Sequence, residues 1–146
     1  MENELYLKKV YSAAYMLTGK EKDACEASSL AISRSAKEVI SNNQVTERTF
    51  KSTVIELIDI YLNTQNVCYN TNEDINNIQK ALLSLDPICR AAIIWKDVLG
   101  FQIDDGIPAS NYTRQELLRE LSLGRKNLKS MLQIKPGLRG NRCSYI

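Results

Sequence analysis

Apolar residues recur every three or four positions in each patterned stretch of this chain, and no stretch alternates polar with apolar over the length of a strand. Such a sequence can bury its hydrophobic faces only helix against helix, so the expected fold class is all-α. The first stretch, from Glu4 to Leu17, puts Tyr6, Val10, Ala13, Ala14 and Leu17 on one face. Thr18 and Gly19 stop it, glycine being the residue that most readily takes the left-handed position after a helix. The second, from Glu21 to Ile40, is dense in small residues (Ala24, Ala27, Ser28, Ala31, Ser35, Ala36) that let a neighbouring helix approach closely. The third, from Thr46 to Asn63, is the cleanest amphipath, with Phe50, Val54, Leu57, Ile58, Tyr61 and Leu62 inward.

An asparagine-rich stretch without apolar period then reads as a linker. Beyond it Glu73 and Asp74 open a helix carrying Ile75, Ile78, Leu82 and Leu85, acids being favoured in a first turn. Asp86 and Pro87 form a start signal, a capping residue followed by proline at the first helical position. The helix they open buries Ile88, Ala91, Ala92, Trp95 and Val98 and ends at Gly100. Thr113 and Glu116 have the spacing of a capping box and open a last helix, with Leu117, Leu121, Leu128 and Met131 inward. Trp95 and Phe50 are spaced as core residues, and Asp104 and Asp105 read as a solvated pair of acids. The expected organisation is a helical module over residues 1–64, a linker over 65–73, a second helical module over 74–134 and a flexible basic tail over 135–146.

Composition narrows the function. The chain has no histidine, and Cys25, Cys68, Cys89 and Cys143 form no Cys-x-x-Cys pair, so structural zinc and other metal sites are not expected. A Ser-His-Asp or Cys-His arrangement is impossible, and no glycine-rich phosphate loop occurs. The expectation is therefore no enzyme, no catalytic residues, no cofactor and no small-molecule substrate. No apolar run approaches the roughly 18 residues that cross a membrane. The Met1–Tyr6 stretch is polar and acidic rather than basic then apolar, so a cytoplasmic protein without membrane association is expected. Charge is uneven: residues 1–90 hold ten Lys/Arg against twelve Asp/Glu, whereas 111–146 hold eight against two. A basic last quarter on a near-neutral body suits a polyanionic partner.

Four stretches carry a resemblance. Tyr11 to Gly19 reads Y-S-A-A-Y-M-L-T-G and leads into Asp23 to Leu30, D-A-C-E-A-S-S-L. Ala81 to Gly100 reads A-L-L-S-L-D-P-I-C-R-A-A-I-I-W-K-D-V-L-G, and Leu123 to Lys129 reads L-G-R-K-N-L-K. Together they resemble bacterial sigma-70 family factors of the small two-domain extracytoplasmic-function type, the first half being similar to sigma region 2 and the second to sigma region 4. The resemblance implies a transcription protein that associates with core RNA polymerase through Asp23, Glu26, Ser29 and Leu30. It implies promoter DNA contact through a helix-turn-helix whose recognition helix carries Thr113, Arg114, Gln115, Arg119, Arg125, Lys126 and Lys129. An anti-sigma protein is a further implied partner.

The chain departs from that family at identifiable places. Ser29 stands for a glutamine, and Thr53 and Ile60 stand for the tryptophan and asparagine of the helix that melts promoter DNA. Glu56 and Asp59 fall where basic residues are usual. Gly106 and Pro108 interrupt the helix that should support the recognition helix, at about 1 and 3 kcal/mol respectively for such residues inside a helix. The alternative expectation is therefore a degenerate sigma paralogue that acts by protein–protein contact alone, without promoter recognition.

Overall fold

The structure, a computed structural model, describes residues 2–37, 45–63, 77–105 and 112–132. Among these the fold is all-helical, with six α-helices and no strand. They fall into two compact units, residues 2–37 with 45–63, and residues 77–105 with 112–132. The linker over 65–73, the Glu73–Asp74 start, Ile75, Gly106, Pro108, the 135–146 tail and residues 38–40 of the second helix lie outside the described residues.

The first unit holds α1 (Asn3–Thr18), α2 (Glu21–Arg34) and α3 (Glu47–Asn63), each packed on the other two. Tyr6, Val10, Ala13, Ala14 and Leu17 of α1 are buried, as their spacing predicts. Gly19 follows α1 with a φ of 74°, and its N–H donates to the Tyr15 carbonyl at 2.7 Å. The small face of α2 (Ala24, Ala27, Ser28, Ala31) is the buried one, and Ser35 forms a buried turn directly after the helix. On α3, Phe50, Val54, Leu57, Ile58, Ile60 and Tyr61 are buried, while Leu62 is only partly so. Thr53, fully buried in this core, donates to the Thr49 carbonyl at 2.9 Å, which leaves its oxygen to accept from the Tyr6 hydroxyl at 2.6 Å. This bond satisfies two polar groups that would otherwise be costly in an apolar interior.

The second unit holds α4 (Asn77–Leu83), α5 (Pro87–Ile93) and α6 (Arg114–Met131). Asp86 does sit at the N-cap of α5 with proline next, but its side chain makes no capping hydrogen bond. Every residue from Ile88 to Trp95 is buried, so α5 is enclosed on all faces. One of these is Arg90, 4% exposed, whose guanidinium donates to the carbonyls of Leu82 (2.7 Å), Leu83 (2.7 Å) and Leu85 (3.0 Å). The Leu82 and Leu83 carbonyls lie in the last turn of α4 and the Leu85 carbonyl just beyond it; Leu82 also accepts from the Leu85 N–H at 3.1 Å, and Arg90 closes that end from the next helix.

Beyond Ile93 the helix widens into a π-turn over Ile94–Val98, closed by Leu99 N–H donating to the Ile94 carbonyl at 2.9 Å. One extra residue in a turn rotates the positions after it, and Val98, expected inward, is 44% exposed. Gly100 then takes a φ of 76°, a conformation that side chains with a Cβ resist. It turns the chain so that Phe101 N–H reaches the Trp95 carbonyl at 3.0 Å and the Phe101 ring lies 4.7 Å from the Trp95 ring. Trp95 is fully buried, with its indole N–H on the Gln102 carbonyl at 2.8 Å. Ile78 and Met131, expected inward, are exposed by 47% and 41%, because the seven-residue α4 turns only part of its surface to the unit and Met131 lies at the last residue of α6.

Candidate nucleic-acid interface

The α6 helix begins with the capping box that its sequence predicts. The Thr113 hydroxyl accepts from the Glu116 N–H at 3.1 Å, and the Glu116 carboxylate accepts from the Thr113 N–H at 2.8 Å. Those bonds from Thr113, the backbone one first, hold the Glu116 carboxyl below its usual range. Thr113 thus acts as the cap of α6, with its hydroxyl committed to the backbone.

The helix is divided lengthwise. Leu117, Leu121, Gly124 and Leu128 are buried at spacings of four, three and four. Gly124 marks the closest approach to α5: a Cβ there would lie 3.1 Å from Ile93 Cγ1 and 3.6 Å from Cys89 Cβ. At 100° per residue, Gln115, Arg119, Ser122, Lys126 and Lys129 fall within about 40° of one line on the opposite side. All five are exposed, and the line contains no acid. Arg119, Lys126 and Lys129 form no ion pair among the described residues.

Both acids of α6 face elsewhere. Glu116 is held in the cap, and Glu120 accepts from the Cys89 thiol at 3.0 Å. Cys89 is buried, and desolvation first, then the Glu120 bond and charge, push its thiol up to about 12. It is a neutral donor, and Cys25 is the exposed described thiol. Among the described residues no group of acids and cysteines could hold a metal ion, and no helix is long and apolar enough to cross a membrane.

Arg114 and Arg125 do not join the basic line. They lie on one flank of α6, roughly 80–100° round from it, and each is taken by a carboxylate of the preceding segment. Asp97, on the π-turn, receives the Arg125 fork at 2.7 and 2.5 Å, and its side chain is only 8% exposed. The Asp97 bond, ahead of the opposing effect of burial, raises the Arg125 pKa further. Asp104, on the short 3-10 turn Ile103–Asp105, pairs with Arg114, so this acid is bonded rather than simply solvated. Sequence reasoning missed both carboxylates, because neither pairing follows a local spacing.

In the first unit, Asp23, Glu26, Ser29 and Leu30 are all exposed on the side of α2 away from its buried small residues, and Leu30 is 44% accessible. Arg34, further along α2, reaches across to Glu56 at 3.5 Å and Asp59 at 3.3 Å on α3. No protein-family model, curated protein or solved structure matches the chain.

Proposed function

We propose that this chain is a divergent sigma-factor-like transcription protein whose second unit lays α6 on duplex DNA and whose first unit contacts RNA polymerase. The observation that carries the reading is the acid-free line of Gln115, Arg119, Ser122, Lys126 and Lys129, set opposite the leucine and glycine face that packs α6 in place. It runs from Gln115 to Lys129, about 21 Å of helix at 1.5 Å per residue, which suits a groove about 12 Å wide flanked by phosphates. With Glu116 and Glu120 drawn away, the helix offers a polyanion three cations and two neutral hydrogen-bonding side chains. The polymerase contact rests on the exposed α2 face of Asp23, Glu26, Ser29 and Leu30 and on the resemblance of that stretch to sigma region 2.

A reading without promoter recognition, by protein–protein contact alone, draws support from the first unit. Thr53 and Ile60 are buried rather than offered to bases, and the Glu56 and Asp59 carboxylates would repel a phosphate backbone. The two readings part on DNA affinity against salt. Three phosphate contacts give a slope of log affinity against log salt of about −2.7, and Lys126→Ala with Lys129→Ala brings it to about −0.9. Absence of duplex binding at low salt, alone and with core polymerase, sinks the DNA contact. Run-off transcription by the reconstituted complex then tests promoter use, and loss of polymerase capture on Glu26→Lys with Leu30→Ala tests the α2 face.

A further inference from the structure

We propose that Asp97 is a positioning residue for the α6 surface: through Arg125 it fixes the rotation of α6 about its own axis, so that Arg119, Lys126 and Lys129 point away from the core. This rests on the DNA reading above for its functional consequence, and on geometry for the clamp itself.

A leucine stripe alone defines a helix's buried side loosely, because apolar contact is non-directional. Gly124 makes the contact close but removes the side chain that would key the rotation. Directional bonds supply what is missing, and they stand on both sides of the apolar stripe. On one flank Arg125 meets Asp97 with two parallel bonds at 2.7 and 2.5 Å, and Arg114 meets Asp104 eleven residues earlier. On the other flank the Cys89 thiol donates to Glu120 at 3.0 Å. The two arginine pairs differ in weight. Arg114 and Asp104 are 63% and 68% exposed, where an ion pair contributes little, whereas the Asp97 side chain is 8% exposed. Asp97 stands on the π-turn, four residues beyond Ile93 and eight beyond Cys89, the two residues that face Gly124 of α6. A planar fork meeting a carboxylate in two bonds sets an orientation, which a lysine in the same place cannot do.

A clamp and a phosphate contact predict opposite behaviour of Arg125, and the full-length chain with a mixed-sequence DNA duplex separates them. For the clamp, Arg125→Lys weakens duplex binding about fivefold or more with the salt slope unchanged, although charge is kept. Asp97→Asn does the same, and the double variant is no weaker than either single one. Arg125→Lys with wild-type affinity overturns the clamp, as does an Arg125→Gln variant whose slope falls by about one, or an Asp97→Asn variant that binds more tightly. A second arm needs no DNA. In urea unfolding followed by Trp95 emission, the two single substitutions are non-additive by about tenfold in the unfolding equilibrium constant, and additivity overturns the clamp. If the wild-type chain binds no duplex, the DNA reading fails while this arm still decides the clamp.

Discussion

Replacing Arg90 by methionine tests the most unusual packing decision in the second unit, a guanidinium placed in the core to serve another helix. Methionine keeps the unbranched apolar stem and removes the charge and all donors. The Leu83 and Leu85 carbonyls then lose their bonds at 2.7 and 3.0 Å, while the Leu82 carbonyl loses its bond at 2.7 Å and keeps the Leu85 N–H at 3.1 Å. A buried acceptor left without a partner costs about 1–3 kcal/mol, which applies to Leu85, whose bond is fully buried, and in part to Leu83, whose bond is partly buried; Leu82 loses a charge-assisted bond but stays paired. The sum of these losses is reduced because the variant no longer buries a cation, whose desolvation penalty is several kcal/mol. The expected net loss is about 3 kcal/mol, a large share of the roughly 5–15 kcal/mol that holds an ordinary domain folded.

Trp95 provides the assay. It is the single tryptophan of the chain, fully buried in the second unit, so its emission follows that unit alone. At a urea dependence of about 1.5 kcal/mol per molar, Arg90→Met lowers the midpoint by about 2 M. Arg90→Lys should fall short of wild type as well, since one ammonium cannot reproduce the fork that spans three carbonyls. Amide exchange should rise first in α4, whose seven residues are too few to persist unaided. A loss below about 1 kcal/mol, with α4 amides still protected in the variant, would refute the argument that Arg90 closes α4.

Three further outcomes rest on single contacts. The Cys89 thiol is raised to about 12 from an ordinary value of 9.0, so folding stability is fully present below pH 9.0 and is lost as pH rises toward 12. Cys89→Ala should flatten that part of the pH–stability curve relative to wild type, and native-state alkylation at pH 8 should label Cys25 well before Cys89. Glu116 is lowered from 4.5, so its contribution is present above that pH and lost as acid protonates it; Glu116→Gln should flatten the acid limb, and Thr113→Ala should destabilise by about 1 kcal/mol on thermal melting. Gly124→Val brings new carbon against Ile93, 1% exposed and unable to withdraw to solvent, and should lower the urea midpoint by the equivalent of about 1–3 kcal/mol, with partial recovery in combination with Ile93→Ala.

The fold is largely legible in the sequence because helix faces are local. The buried positions of α1 and α3 follow from spacings of three and four, and the Thr113–Glu116 box follows from a three-residue offset. The illegible part depends on geometry between segments. Nothing in I-W-K-D-V announces a π-turn, so the apolar period carries Val98 inward and gives Asp97 no apparent role. Arg90 stands in a motif, but its task of closing α4 arises only when Leu82, Leu83 and Leu85 come round against it. Which basic residues of α6 share a face follows from the helical period, but that Asp97 and Asp104 take Arg125 and Arg114 does not.

That division of the α6 cations is where fold and function meet. Five basic side chains on an 18-residue helix suggest a strong polyanion surface, but the acids of the same unit decide how much of it is offered. Asp97 and Asp104 take Arg125 and Arg114 on one flank, while the cap takes Glu116 and the Cys89 thiol takes Glu120 on the other side of the helix. The outcome is fewer cations than the sequence counts, in better order. Arg119, Lys126 and Lys129 are aligned without an intervening carboxylate, and the flanking arginines serve orientation. A helix organised in this way gains specificity of presentation at the expense of total charge. If the proposed DNA contact holds, affinity should therefore be modest and steeply sensitive to the three residues of the line, and nearly indifferent to the exposed Arg114–Asp104 pair.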